Sequence, residues 1–173
     1  MRYLKISIVF IFLFAVSSNA QVVINEYSCS NLSSIMCNLG TYEDWIELYN
    51  TSSTPVNLNN YYLSNKKTNI TKWRLGNVTI AGNGFLRIWA SGQDVNAGPN
   101  LHANFSLTQC KNDNIVLSDP SALILDSLTI KPAKLSQSRG RTTNGAATWS
   151  VFTTPTPGTS NTNPKAEYVL LQP

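Results

Sequence analysis

The chain has 173 residues, with 13 Lys and Arg against 9 Asp and Glu, a formal net charge of +4 and 42% hydrophobic residues. Its mature part is long enough for one ordinary domain with a real core. A single histidine, His102, three cysteines and the lack of any C-x-x-C pair argue against a metal cluster.

Residues 1–20 read as an export signal. Arg2 and Lys5 supply the charge, Ile6 to Val16 is almost continuously apolar, and Ser17-Ser18-Asn19-Ala20 offers the small residues a signal peptidase reads. The apolar run is far shorter than the roughly 20 residues a spanning helix needs. Cleavage before Gln21 leaves no membrane span and no N-terminal cysteine for a lipid anchor. It also removes two cations, so 11 basic residues face 9 acidic ones and the mature charge is +2.

The mature chain then repeats one grammar. Short runs rich in Val, Ile, Tyr, Phe and Trp are separated by polar, Gly-, Pro- and Asn-bearing turns. Strands are predicted at 22–27, 44–50, 56–58, 61–64, 72–75, 85–90, 103–107, 115–118, 122–130 and 148–152. In 44–50 the alternation places Ile46 and Leu48 on one face, with Trp45, Glu47 and Tyr49 on the other. No window carries a 3.6-residue apolar period. Many short strands at roughly 8–12-residue spacing predict an all-β antiparallel sandwich or barrel, and two sheets can bury their apolar faces against each other without helices. From Thr153 the pattern dissolves. Residues 162–173 read as a linker followed by the start of a further β-domain.

Few residues suggest chemistry. Glu26, Asp44 and Glu47 are candidate oxygen ligands for calcium, although no D-x-D-x-D-G loop accompanies them. A solvated face or a cross-strand ion pair is the plainer account of the acidic strand. Arg139 and Arg141 form the most pointed polar cluster; one of them is expected to pair with Asp126 or with the Asp44/Glu47 strand and pin the C-terminal segment. His102 has no nucleophile motif beside it and is expected in a turn or at the surface. Export favours one disulfide among Cys29, Cys37 and Cys110, with the pairing open. Lys66, Lys67, Lys72 and Arg74 form one basic group, and Lys131, Lys134, Arg139 and Arg141 a second. They read as solvated strand edges in preference to a nucleic-acid surface. Asn31, Asn50, Asn69, Asn77 and Asn104 each open an N-x-Ser/Thr triplet. Trp73, Trp89, Trp149, Tyr61 and Tyr62 belong to core or edges, or to a glycan platform where exposed.

Ile24-Asn25-Glu26, Asp44-Trp45-Ile46-Glu47-Leu48-Tyr49-Asn50, Gly84-Phe85-Leu86-Arg87-Ile88-Trp89-Ala90-Ser91-Gly92, Gly140-Arg141 and Thr156-Pro157-Gly158-Thr159-Ser160-Asn161 follow one another in order. In that arrangement the chain resembles the bacterial lamin-tail domain, an immunoglobulin-like β-sandwich. The resemblance implies a domain over 21–161 at the N-terminus of a secreted, Bacteroidetes-type multidomain surface protein, sometimes one carrying a CotH-type kinase-like domain. It brings no catalytic residues and no cofactor. The expected role is a non-catalytic extracellular or cell-surface module that targets, spaces or anchors a neighbouring domain, or binds a surface polysaccharide or protein. The rival expectations are an accessory domain of a secreted enzyme and a polyanion-binding domain.

Overall fold

A computed structural model describes residues 20–109 and 113–165. Residues 1–19 of the predicted signal segment, Cys110 and the apolar tail after Lys165 lie outside the described residues. Among the described residues, twelve strands run in chain order: β1 (Val22–Ser28), β2 (Trp45–Asn50), β3 (Val56–Asn57), β4 (Tyr62–Ser64), β5 (Trp73–Arg74), β6 (Thr79–Ile80), β7 (Phe85–Trp89), β8 (Leu101–His102), β9 (Asn114–Ser118), β10 (Ile124–Thr129), β11 (Ser138–Arg141) and β12 (Trp149–Phe152). A six-stranded sheet of order β12-β11-β1-β2-β7-β8 faces a four-stranded sheet of order β10-β9-β4-β5, with a small β3-β6 ribbon at the side. All pairings are antiparallel except β7 with β8. The architecture is an immunoglobulin-like β-sandwich: the strand spacing allows a sandwich, and the resemblance implies the immunoglobulin-like form.

The inner faces close the core. Ile24, Ile46, Leu48 and Ile88 from the larger sheet meet Leu63, Trp73, Ile115 and Leu117 from the smaller one, all buried. Each such side chain contributes roughly 1.5–3 kcal/mol by leaving water. The larger sheet is also covered on its outer face. There Trp45 and Trp89, cross-strand partners, form a second cluster with Cys37 and Ile35 from the 29–44 loop. Trp45 and Glu47 are therefore as inaccessible as Ile46 and Leu48. The alternation of β2 separates two buried sides, and the solvated face allowed by the sequence is absent from this strand's centre.

The structure departs from the predicted elements in three places. The run 103–107 is not a strand: Ala103, Phe105 and Leu107 do alternate into the core, but beyond the Ser91–Ser106 bridge the segment has no ladder partner. The strand lies just before it, where Leu101 and His102 pair with Ile88 and Trp89. β6 is an additional strand, held by Val56–Ile80 pairing. β11 is the third. Its Ser-Arg-Gly-Arg sequence has no apolar period, yet all four residues are buried between β1 and β12.

Candidate functional site

The polar residues worth weighing gather where β1 is irregular. The register shifts between Ile24 and Glu26, so Asn25 is an extra residue opposite β2. Such a bulge breaks the strict alternation of faces. Here Asn25 and Glu26 both reach the outer-face network around Glu47, with which Glu26 is paired across the strands.

Two fully buried carboxylates side by side are costly unless hydrogen-bonded. The C-terminal segment 156–161 supplies most of the bonds. Glu26 accepts from the Thr156 N–H (3.0 Å), the Thr156 hydroxyl (2.8 Å) and the Ser138 hydroxyl (2.5 Å). Glu47 accepts from the Gly158 N–H and from Asn25 Nδ2 at 3.1 Å. Asn161 completes the closure: its Nδ2 donates to the Arg141 carbonyl at 2.6 Å, and its Oδ1 accepts from Asn25 at 3.1 Å. The Thr-Pro-Gly-Thr-Ser-Asn run is thus a strap across the outer face, latched on two glutamates. Burial pushes the Glu47 carboxyl up to about 7, against the opposing pull of its donors, and Glu26 adds repulsion. Burial likewise raises Glu26, again against its hydrogen bonds.

The remaining predicted site residues fall elsewhere. Asp44 sits just before β2 and accepts from the Asn31 N–H at 3.2 Å. Burial lifts its carboxyl to about 6. It does not join Glu26 and Glu47, and among the described residues no group of three His, Cys, Asp or Glu side chains could hold a metal ion. The calcium arrangement considered from the sequence is therefore not assembled. Arg141 pairs with Asp126 at 2.7 Å and donates to the carbonyls of Ile24 (2.7 Å) and Ala146. Arg139 Nε donates to the Pro132 carbonyl at 2.9 Å. Both arginines are buried, so neither belongs to a solvated edge. A cavity of ≈ 430 Å³ lies beside the Arg141–Asp126 pair, lined also by Ala20, Val23, Thr51 and Leu125.

His102 corrects the surface expectation. It is buried on β8, with Nδ1 2.8 Å from the Ser91 hydroxyl and Nε2 2.8 Å from Asn38 Oδ1. Parallel pairing with β7 carries it under the 29–44 loop, and Asn38 ties that loop to it. Burial lowers its basicity. Cys29 and Cys37 form no bridge with each other; Cys29 Sγ lies 3.7 Å from Gln109 Oε1, and Cys110 is outside the described residues. Of the predicted aromatics, Trp73 and Trp89 are core.

One strip of the outer face stays half-exposed. Tyr49 and Phe85, opposite each other on β2 and β7, have ring centroids 5.1 Å apart. One step along, the Arg87 guanidinium lies 4.4 Å from the Trp89 ring centroid. Sequence reading missed the strap latch. The available signal was two glutamates in otherwise apolar strand centres, with no lysine beside them.

The family comparison fits this geometry. The sequence model of one family, described as Lamin Tail Domain, matches residues 15–132. The chain belongs to the lamin tail domain family. The strands β11 and β12 lie beyond the matched range yet complete the same six-stranded sheet. No curated protein matches the chain.

Proposed function

We propose that this chain is a non-catalytic module of the exported type, which holds a neighbouring domain and binds an extracellular glycan on the outer face of its larger sheet. The observation that carries the reading is how thoroughly its reactive groups are occupied. Glu26, Glu47, Asp126, Arg141 and His102 are each engaged by partners of the fold itself. The groups with potential acid–base chemistry therefore serve to close the structure. Among the half-exposed aromatics, Trp149 and Tyr61 pack against the core, and the Tyr49–Phe85 pair with Arg87 alongside is the one we assign to recognition. Sugar rings stack on aromatic faces, and a guanidinium fork suits their hydroxyl and carboxylate groups.

A glycan array probed with the exported protein tests this, followed by titration of any hit. Tyr49→Ala with Phe85→Ala should abolish binding while the circular dichroism spectrum stays that of a β-sandwich. Binding that survives both substitutions, or an array without a hit, overturns the glycan reading.

A further inference from the structure

The sandwich has two ends, and they differ. One end collects the 29–44, 65–72, 103–109 and 130–137 segments together with Asp113, tied together by the backbone. The Ser136 N–H donates to the Ser30 carbonyl (2.7 Å), Ile130 to Asp113 (2.7 Å) and Asn114 to Asn65 (3.3 Å). These ties bring together lysines that are far apart in sequence. Lys66, Lys67, Lys131 and Lys134 are all exposed there, with Lys72 half-buried among them. The acidic groups of the same loops are Glu43, Asp44 and Asp113, none of them fully exposed.

The same end carries aliphatic side chains in water. Leu32 is 60% exposed, Met36 52%, Leu39 55% and Leu135 68%. The loop that holds the first three has no charge from Cys29 to Tyr42. It is not simply uncollapsed. Asn31 braces it, donating to the carbonyls of Ile35 (2.6 Å) and Glu43 (2.8 Å) and accepting from the Ser34 and Ile35 N–H groups. Cys37 and Ile35 turn inward onto Trp45 and Trp89. The loop thus buries part of its apolar content and holds the rest outward.

We propose that this end docks on an anionic lipid surface, with Leu32, Met36, Leu39 and Leu135 entering the headgroup boundary while Lys66, Lys67 and Lys134 face the phosphates. Apolar tips and a basic surround together provide the two signals that interfacial binding needs. Each lysine near an anionic leaflet is worth about a fivefold gain in partition. A soluble polyanion would use the lysines and leave the aliphatic tips without a function. The site lies on different loops from the Tyr49–Phe85 strip, so the two proposals stand or fall separately.

The test is co-sedimentation of the whole exported protein with vesicles of phosphatidylcholine alone and of phosphatidylcholine with phosphatidylglycerol. Binding is expected only to the anionic vesicles and should weaken as salt rises. Charge reversal by Lys66→Glu, Lys67→Glu and Lys134→Glu should lower the partition by about a hundredfold or more. Leu32→Ser with Leu39→Ser should also weaken it, with an unchanged melting curve as the folding control. Wild-type protein that stays in the supernatant overturns the proposal. So does binding that ignores the leucine substitutions and is matched by heparin, the result a soluble-polyanion site would give.

Discussion

Arg141 Nη2 meets Asp126 Oδ2 at 2.7 Å, and that contact bridges the two sheets at the point where each is irregular. β1 shifts register between Ile24 and Glu26, and β10 between Ile124 and Asp126. The two side chains also serve the displaced backbone: Asp126 Oδ2 accepts the Ile24 N–H at 2.9 Å, while Arg141 Nε donates to the Ile24 carbonyl at 2.7 Å. Truncating Arg141 to Ala leaves a largely buried carboxylate and an orphaned carbonyl. The expected cost is roughly 3 kcal/mol, or about 10 °C in melting temperature. Many buried ion pairs can be exchanged for two apolar residues at little cost. This one cannot, because Arg141→Leu with Asp126→Leu strands both backbone groups of Ile24. The double variant should remain at least about 2 kcal/mol less stable than the parent in urea titration.

Groups shifted by burial make stability depend on pH in opposite senses, the raised carboxyls of Glu47, Glu26 and Asp44 on one side and His102 on the other. Glu47 has a folded pKa of about 7 against an ordinary value of 4.5, raised chiefly by burial. The fold favours its protonated form. That contribution is complete below about 4.5 and is lost as pH rises through about 7. Glu26, Arg87, the Gly158 N–H and the Asn25 amide are the charged and polar groups that face it, and Glu26 and Glu47 titrate as a pair. His102 is lowered from 6.5 by burial, so its contribution is complete above 6.5 and is lost as pH falls through its folded value. Urea midpoints across pH 4 to 8 in roughly half-unit steps separate the two. Glu47→Gln should reduce the decline between about 4.5 and 7, with Asp44 left to contribute up to about 6, and His102→Gln should flatten the acid limb. A Glu47→Gln profile with the parental slope would remove the buried carboxylate from this account.

The N-x-Ser/Thr triplets divide by burial. Asn31 and Asn50 are fully enclosed, and their amides are spent on backbone carbonyls: Asn50 Nδ2 donates to Thr54 at 2.7 Å and Ala81 at 3.0 Å. Asn69, Asn77 and Asn104 are exposed. Folded material produced through a eukaryotic secretory route should carry glycans at 69, 77 and 104 and none at 31 or 50, as read by glycopeptide mass spectrometry. A glycan on Asn50 in monodisperse, folded protein would contradict the enclosed geometry.

What the sequence made legible was the layered fold, because β-branched and aromatic runs between turn residues encode strands locally. Val22–Ser28, Trp45–Asn50 and Phe85–Trp89 fall within a residue or so of their predicted bounds. β11 stays hidden because its burial depends on Glu26 and Ile24, 112 and 117 residues away in sequence, which a local polar run cannot reveal. For the same reason 103–107 reads as a strand: its alternation records which side faces the core and says nothing of a ladder partner. Glu26 and Glu47 stand out in the sequence, but as a solvated face, a cross-strand ion pair or, last, ligands for a cation. Their true complement is the N–H and hydroxyl groups of Thr156 and Gly158, which in the sequence are only part of a turn-rich, apolar-poor run closing the domain.

Gly140 offers the sharpest check on the strap. It pairs with Glu26 across β1 and β11 and stands directly beneath the latch. A Cβ there would lie 2.9 Å from Asn161 Nδ2, 3.0 Å from Phe152 Cε2 and 3.1 Å from Glu26 Cγ. These neighbours come from the strap, β12 and β1, so no single one can retreat without breaking a hydrogen bond or opening the packing. Gly140→Ala should therefore cost roughly 1–3 kcal/mol, the range expected for overpacking a filled site. The strap should loosen first, since the Asn161 amide is the nearest group and lies in a segment without a ladder of its own. Limited proteolysis would then cut between Thr153 and Asn161 in the variant while the parent resists. A Gly140→Ala variant with parental melting and an uncut strap would show that Asn161 is not seated on Gly140.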